Sequence, residues 1–387
     1  MFSYIVLFLC LSSVWTGAVT IDRSDTTAKV LILGAGASGL QAARTLHDAG
    51  LDDFIIVEAA DRIGGRVHST QFAGITVGLG AQWAATDEPL TDEIIRKLNL
   101  SRHITDYDSL TIRNTTGHDV TYEANANYQR LEKGMDEFYE LRKRMQKDGN
   151  IPDMSIRSAL RIGGWQQPLS AIDKAIEWFE FDSEYGEAPE VTSTKEAVVA
   201  TDDESEDYII TDARGSDQIF NEVAGFLKTP DFINHTRLNQ RVVSIDHTDD
   251  LSVLVTCEDG TRYVGEYALI TFSIGVLQND LIQFIPPLPE WKDVAIKKFQ
   301  MAGYTSIFLS FPSKFWDDTE WIMYASERKG YYPMFLNYQA EGLHPGKTPV
   351  LLVTVIGKII PLSKWRMLHP RILHTSYDRD NSYPVPN

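Results

Sequence analysis

The chain has 387 residues, with 36 Lys+Arg against 54 Asp+Glu and a formal net charge of -18. That length supports about two domains and a sizeable core, and 43% hydrophobic with 11% aromatic residues excludes a disordered chain. So large an acidic excess excludes a nucleic-acid partner, whose phosphates it would repel, and admits a cationic ligand.

Residues 1–21 carry no charged side chain, and the apolar run 4–11 is too short for the ~20 residues of a membrane span. Thr16, Gly17 and Ala18 offer small residues for cleavage, so 1–18 reads as a signal peptide, with an uncleaved anchor as the alternative. N-x-[ST] sequons at Asn99, Asn114 and Asn234 agree with export, so a secreted, extracellular protein with no stable membrane span is expected. Cys10 lies in the leader and Cys257 in a strand-like stretch, so neither a disulfide framework nor a metal site is expected.

Residues 29–33 form a β-rich run that enters a glycine-rich turn. Residues 38–49 then read as a helix, with Leu40, Ala43 and Leu46 on one face, and 54–58 as a second strand. This β-turn-α-β order opens a parallel sheet. The turn, Gly34-Ala35-Gly36-Ala37-Ser38-Gly39, is a GxGxxG with Glu58 at the end of the following strand. In that context it marks a dinucleotide site: Gly34 permits the tight turn, Gly36 lets a pyrophosphate approach, and Gly39 lets helix and strand pack. Glu58 is placed to accept from ribose hydroxyls, and the helix N-terminus offers N–H donors. NAD and FAD remain open until the next segment, Arg62-Ile63-Gly64-Gly65-Arg66. Two arginines suited to phosphate flank a glycine pair that lets the chain pass close to a large cofactor. This segment argues for FAD and against a nicotinamide-linked dehydrogenase.

Further along, Leu131, Met135, Phe138, Leu141 and Met145 give 128–148 the period of a core-facing helix. The acidic run 202–207 reads as a solvated loop. Strands are expected at 242–245, 252–257, 261–264 and 268–272, with an Asp259-Gly260 hairpin between the second and third. Another strand is expected at 307–311, stopped by Pro312. The stretch 356–387 changes character: Lys358, Lys364, Arg366, Arg371 and Arg379 outnumber Asp378 and Asp380, and Pro361, Pro370, Pro384 and Pro386 interrupt it.

Taken in order, these motifs resemble the FAD-dependent amine oxidases, and among them the polyamine oxidases. The resemblance adds Leu79-Gly80-Ala81-Gln82-Trp83, Phe181-Asp182-Ser183-Glu184, Asp212-Ala213-Arg214-Gly215, Ser273-Ile274-Gly275-Val276-Leu277, Lys314-Phe315-Trp316 and Arg328-Lys329-Gly330-Tyr331-Tyr332 to the glycine turn and the arginine segment, and it spans Ala28 to Val355. It implies an α/β (α+β) fold: a Rossmann-like FAD-binding domain (28–105 and 205–280) interleaved with a mixed-sheet substrate domain (106–204 and 281–355), followed by a divergent tail (356–387). It implies FAD, with the backbone of Val242 at the adenine end and Gly80, Ala81, Gln82 and Trp83 near the flavin ring. Glu184 would face the substrate, and Tyr331 and Tyr332 would line its cavity. The implied reaction is oxidation of a small cationic amine of the spermine/spermidine class: hydride passes from carbon to flavin, the imine hydrolyses, and O2 becomes H2O2. Glu180, Asp182, Glu184, Glu187 and Glu190 form an acidic stretch that suits either a polycation or a solvated loop.

Three departures from the pattern stand out. Ser306 occupies the place of a lysine that holds a water near the flavin and assists reoxidation. Ala85 occupies the place of a tunnel glutamate. The family pattern also continues past Val355, where this chain has its proline-rich tail. These departures leave a non-catalytic protein that keeps the fold as the alternative.

Overall fold

The computed structural model describes residues 25–166, 168–197, 206–344 and 346–357, and the backbone of Ile372–Tyr377. The expected leader 1–18, much of the acidic run and most of the tail lie outside the described residues.

Two sheets organise the chain. The first has seven strands in the order Gln283–Ile285, Val242–Asp246, Val253–Cys257, Arg262–Ile270, Thr26–Leu33, Phe54–Val57 and Thr236–Arg237. At its centre, Thr26–Leu33 pairs in parallel with both neighbours. A strand covered on both faces must be apolar throughout, and Leu31, Ile32, Leu33 and all of Phe54–Val57 are buried. The helix Ala37–Asp48 returns over one face and buries Leu40 and Ala43.

The strands expected at 261–264 and 268–272 are a single strand, Arg262–Ile270. Its first half pairs with Val253–Cys257 and nearly its whole length with Thr26–Leu33, so the ladder carries it through. Gly265, which reads as a break in sequence, is where the strand passes Leu31: a Cβ there would sit 2.7 Å from the Leu31 side chain. The same sheet continues to Gln283–Ile285, beyond residue 280 where the sequence reading ends the FAD-binding part.

The second sheet has six strands: Ile372–Tyr377, Tyr304–Ser310, Val350–Ile356, Met334–Asn337, Trp321–Ala325 and Leu110–Asn114. One face, carrying Phe308, Trp321, Met334, Leu336 and Leu352, shares a core with Trp178 and Ile209. The opposite face, with Ile307, Leu309, Phe335, Leu351 and Val353, lines an apolar groove of about 750 Å³. Helices cover the far end of the first face. The longest, Thr121–Lys147, begins earlier than the expected 128–148 and buries Leu131, Phe138 and Met145. Met135 and Leu141 flank that stripe.

A three-stranded sheet, Trp83–Ala85, Asp207–Ile210 and Arg102–Ile104, stands between the two cores. Strand alternation divides it: Ile209 enters the core of the six-stranded sheet, while Tyr208 enters the helix-lined core with Ile94 and Leu40. Asp207 therefore begins a strand, where sequence patterning gives a loop. No helix among the described residues is long and apolar enough to cross a membrane, and no group of side chains among them could hold a metal ion.

Candidate active site

The glycine turn is built as its spacing requires. Gly34 has φ +113, and a Cβ on it would lie 2.5 Å from the Thr271 hydroxyl. A Cβ on Gly39 would lie 1.9 Å from the Gly34 carbonyl oxygen, so helix and turn can meet only without one. Gly36 differs: a Cβ there meets nothing within 4 Å. That open space lies at the N-terminus of a twelve-residue helix whose first turn has no acidic residue. A phosphate is drawn to such a place by free N–H groups and the helix dipole. Gly64 and Gly65, at φ +96 and +58, fold against this turn; Gly64 donates its N–H to the Ala35 carbonyl, and Gly65 abuts Gly36.

Glu58 is buried, and its carboxylate accepts from the backbone N–H of Ala35 and of Ala60, each at 2.7 Å. This pins it beside the turn, and each oxygen retains a lone pair for a ribose hydroxyl. The segment leading to Val242 runs alongside, since Gln240 N–H donates to the Glu58 carbonyl at 2.8 Å. Val242 itself is buried in the strand that pairs with Cys257. Ser273 begins the short helix Ile274–Gln278, and its buried hydroxyl has no hydrogen-bond partner among the described residues. An open glycine cradle, a fixed ribose carboxylate and an orphaned hydroxyl at this sheet end fit a dinucleotide's diphosphate.

Arg62 behaves differently from expectation. Its guanidinium donates to the carbonyls of Ile63 and Gly65, at 3.2 and 2.8 Å, and so braces the Gly64-Gly65 turn instead of facing a phosphate. Arg66 lies exposed at the end of that turn. Past the adjoining hairpin, Gly80 and Ala81 lead into Gln82, which is buried and accepts from the Tyr338 hydroxyl at 2.8 Å. Trp83 stacks on Trp321 at 6.4 Å.

If Ser306 has the role the resemblance implies, the substrate side is the inner face of the six-stranded sheet. Along Tyr304–Ser310 the alternation puts Tyr304, Ser306 and Phe308 on the face shared with Trp178, with Ser306 opposite Thr354. Tyr304 hydrogen-bonds to Thr354, and burial, with the nearby Glu184 charge, raises its pKa. Tyr107 stacks on Trp321 at 5.8 Å and meets Phe179 edge-on at 6.3 Å. Neither tyrosine stands out in sequence; strand alternation from Ser306 is the signal that would have found Tyr304. Tyr332, by contrast, packs on the outer face with Ile307 and Val353, and Tyr331 is 39% exposed beside it. Tyr332 is thus on the face of the sheet opposite Ser306.

The acidic stretch resolves into distinct roles. Trp178–Asp182 is a π-helical turn, a form common at functional sites, and it is followed by the short helix Ser183–Tyr185. Asp182 pairs with Lys329 at 2.6 Å, Glu190 with Arg157 at 2.9 Å, and Glu187 accepts from Gln300 at 2.8 Å. Glu180 and Glu184 form no ion pair or hydrogen bond with a described residue. Glu184 is exposed, yet the dense protein around its carboxyl and the Asp207 charge raise its pKa.

Burial, and then the charges of Glu132 and Glu184, push Glu180 up to about 7. Between the ordinary value of 4.5 and about 7 the folded chain holds a proton that the unfolded chain releases, so this group makes stability fall as pH rises through that window. Glu180→Gln is therefore expected to stabilise the fold by about 1–3 kcal/mol at pH 8 and to be neutral near pH 4, read from urea melts at both. Equal melts at pH 8 would show that the carboxyl ionises without penalty.

The sequence pattern of the family described as Flavin containing amine oxidoreductase matches residues 37–364. Polyamine oxidase 1 of Zea mays is 36% identical over 348 residues, which is 84% of this chain and 69% of that protein. Polyamine oxidase 6 of Oryza sativa subsp. japonica is 35% identical over 351 residues, with the same shares covered. A solved structure of wild-type putrescine oxidase bound to putrescine superimposes with a TM-score of 0.65 at 18% identity, covering 89% of this chain and 78% of that one; at that identity it speaks for the fold alone. The fold, the glycine cradle and these likenesses agree: the chain belongs to the flavin-containing amine oxidoreductases, with FAD as its cofactor.

Proposed function

We propose that this chain oxidises polyamines. The observation that carries the reading is Glu184, a carboxylate with no partner among the described residues, beside Tyr304 on the sheet face that also bears Ser306. Relatives named polyamine oxidases at 35–36% identity support it. Glu184 is exposed and unpaired among the described residues, so it is open to a ligand, and an ammonium group is the natural partner for such a carboxylate. Aromatic faces at Tyr107, Trp321 and Tyr304 add cation–π attraction and exclude water, which strengthens the charge pairing. Gly34, Gly36, Gly39, Gly64, Gly65 and Glu58 would hold the cofactor, with Arg66 exposed at the end of the Gly64-Gly65 turn as the cation for its phosphates.

When bound, FAD supplies the acceptor for the hydride removed from the amine's α-carbon and returns the electrons to O2, giving H2O2. The protein's share is orientation of a neutral reacting nitrogen while a more distant ammonium rests on Glu184. Ser306 offers a hydroxyl that can hold a water but carries no positive charge to stabilise a developing anion. That substitution favours a second reading, in which FAD and amine bind without turnover.

One experiment decides between them. Purified protein is expected to show a flavin band that bleaches when spermine is added without oxygen and returns when air is admitted. A band that persists under spermine favours the second reading, and its slow return after bleaching would locate the defect at Ser306.

A further inference from the structure

We propose that Asp207 is the second substrate-anchoring carboxylate of this site, placed across the strand from Ala85 and acting together with Glu184 to select amines with two or more charges. The inference rests on the polyamine reading above and names a residue that the family pattern does not mark.

Register is the first argument. Ala85 and Asp207 are direct partners in the antiparallel ladder of the three-stranded sheet. Directly opposed residues have Cβ atoms about 4.5–5.5 Å apart on one face. An acidic side chain from either position therefore enters the same volume, so the carboxylate absent at 85 is supplied from 207. That face carries Trp83 and Ile209, which pack in the core beneath the six-stranded sheet, so it is the face turned to the substrate side.

The second argument is how the carboxylate is held. Asp207 is exposed and open to a ligand; the hydroxyl of the half-exposed Tyr107 donates to one of its oxygens at 3.0 Å, and the Tyr107 ring stacks on Trp321 and meets Phe179 edge-on. Phe179 belongs to the π-helical turn that leads to Glu184. One aromatic wall thus connects the two carboxylates. A carboxylate can accept about four hydrogen bonds, so Tyr107 orients Asp207 without exhausting it.

The third is electrostatic. The Asp207 charge contributes to raising the pKa of Glu184 and of Glu88, after burial in both cases, and burial followed by Asp207 does the same to the Tyr107 phenol. Like charges that sense each other repel, and a cation bound between them relieves that repulsion. A diamine or longer polyamine can place one ammonium at each carboxylate. A monoamine can satisfy only one of them.

The test is anaerobic calorimetry on the flavin-loaded full chain with spermine and with butylamine. Asp207→Asn is expected to weaken spermine binding about tenfold or more, a loss of ~1.4 kcal/mol, and to leave butylamine binding unchanged. Adding Ala85→Glu to that variant is expected to recover most of the lost affinity, a rescue that a merely structural role would not give. Unchanged spermine affinity in Asp207→Asn would overturn the assignment, as would an equal loss for both amines. A parent protein that binds no spermine would instead remove the polyamine reading, and this inference with it.

Discussion

Gly36→Val is expected to yield a folded, colourless protein, and Gly39→Ala a poorly folded one. Both positions belong to one hexapeptide, yet the structure gives them opposite surroundings. Around Gly36 a Cβ meets no atom within 4 Å, and its φ of -77 is open to any residue. The space a valine would fill is the space a diphosphate needs. Thermal stability should change by less than about 1 kcal/mol, as for a surface substitution that breaks no contact. Affinity for FAD should fall at least a hundredfold, because the backbone can no longer approach the phosphates. At Gly39 a Cβ would sit 1.9 Å from the Gly34 carbonyl oxygen, a backbone atom that cannot swing aside. The helix must lift from the strand, at about 3 kcal/mol by overpacking. Titration with FAD, read alongside thermal melts of each variant, separates the two effects. A yellow Gly36→Val protein would place the cofactor's diphosphate elsewhere.

The contrast explains what could be read from the chain alone. The nucleotide-binding turn was legible because its chemistry is local: a strand, three glycines, a helix and an acidic residue lie in consecutive segments. Arg62 shows the limit of local reading, since sequence shows a cation next to a phosphate motif but not the carbonyls of Ile63 and Gly65 that it also bonds. The substrate side was harder because it is assembled from distant strands. Tyr107 meets Asp207 across a hundred residues, and Trp83 meets Trp321 across the two sheets. The resemblance implies Tyr331 and Tyr332 as cavity residues, but Tyr332, in the bend before the strand Met334–Asn337, packs with Ile307 and Val353 on the face opposite Ser306. Asp207 was hidden inside an acidic run, where composition speaks for a loop and only the ladder with Trp83–Ala85 makes it a strand. Within the acidic stretch, likewise, charge density alone could not tell partnered carboxylates from unpartnered ones.

The largest loss of stability is expected from Glu177→Gln, because Glu177 holds the core beneath the proposed substrate side. Its carboxylate is fully buried and accepts from both terminal nitrogens of Arg157, from the Trp165 indole N–H at 2.7 Å and from Lys329 at 2.6 Å. Lys329 also reaches Asp182 at 2.6 Å, so the network fastens the π-helical turn that precedes Glu184. Burial alone would raise the pKa of Glu177; Arg157, Lys329 and Trp165 overcome it and hold the group below the ordinary 4.5. The contribution of this group is therefore present above pH 4.5 and is lost as acid protonates it. Removing the charge takes from Arg157, only 3% exposed, the carboxylate that both its terminal nitrogens use and leaves it the half-exposed Glu190 alone, a loss of about 3 kcal/mol. Replacing the group as a unit is a different matter. Glu177→Leu with Arg157→Met and Glu190→Gln keeps Lys329 on Asp182, leaves no stranded charge at 157, 177 or 190, and should unfold at a higher denaturant concentration than Glu177→Gln alone. Urea midpoints of the two variants at pH 7 give the comparison. If the single substitution proves as stable as the parent, the network contributes nothing net. If instead the triple variant is stable but binds spermine weakly, the charges serve to position the turn that carries Glu180 and leads to Glu184, and the fold can do without them.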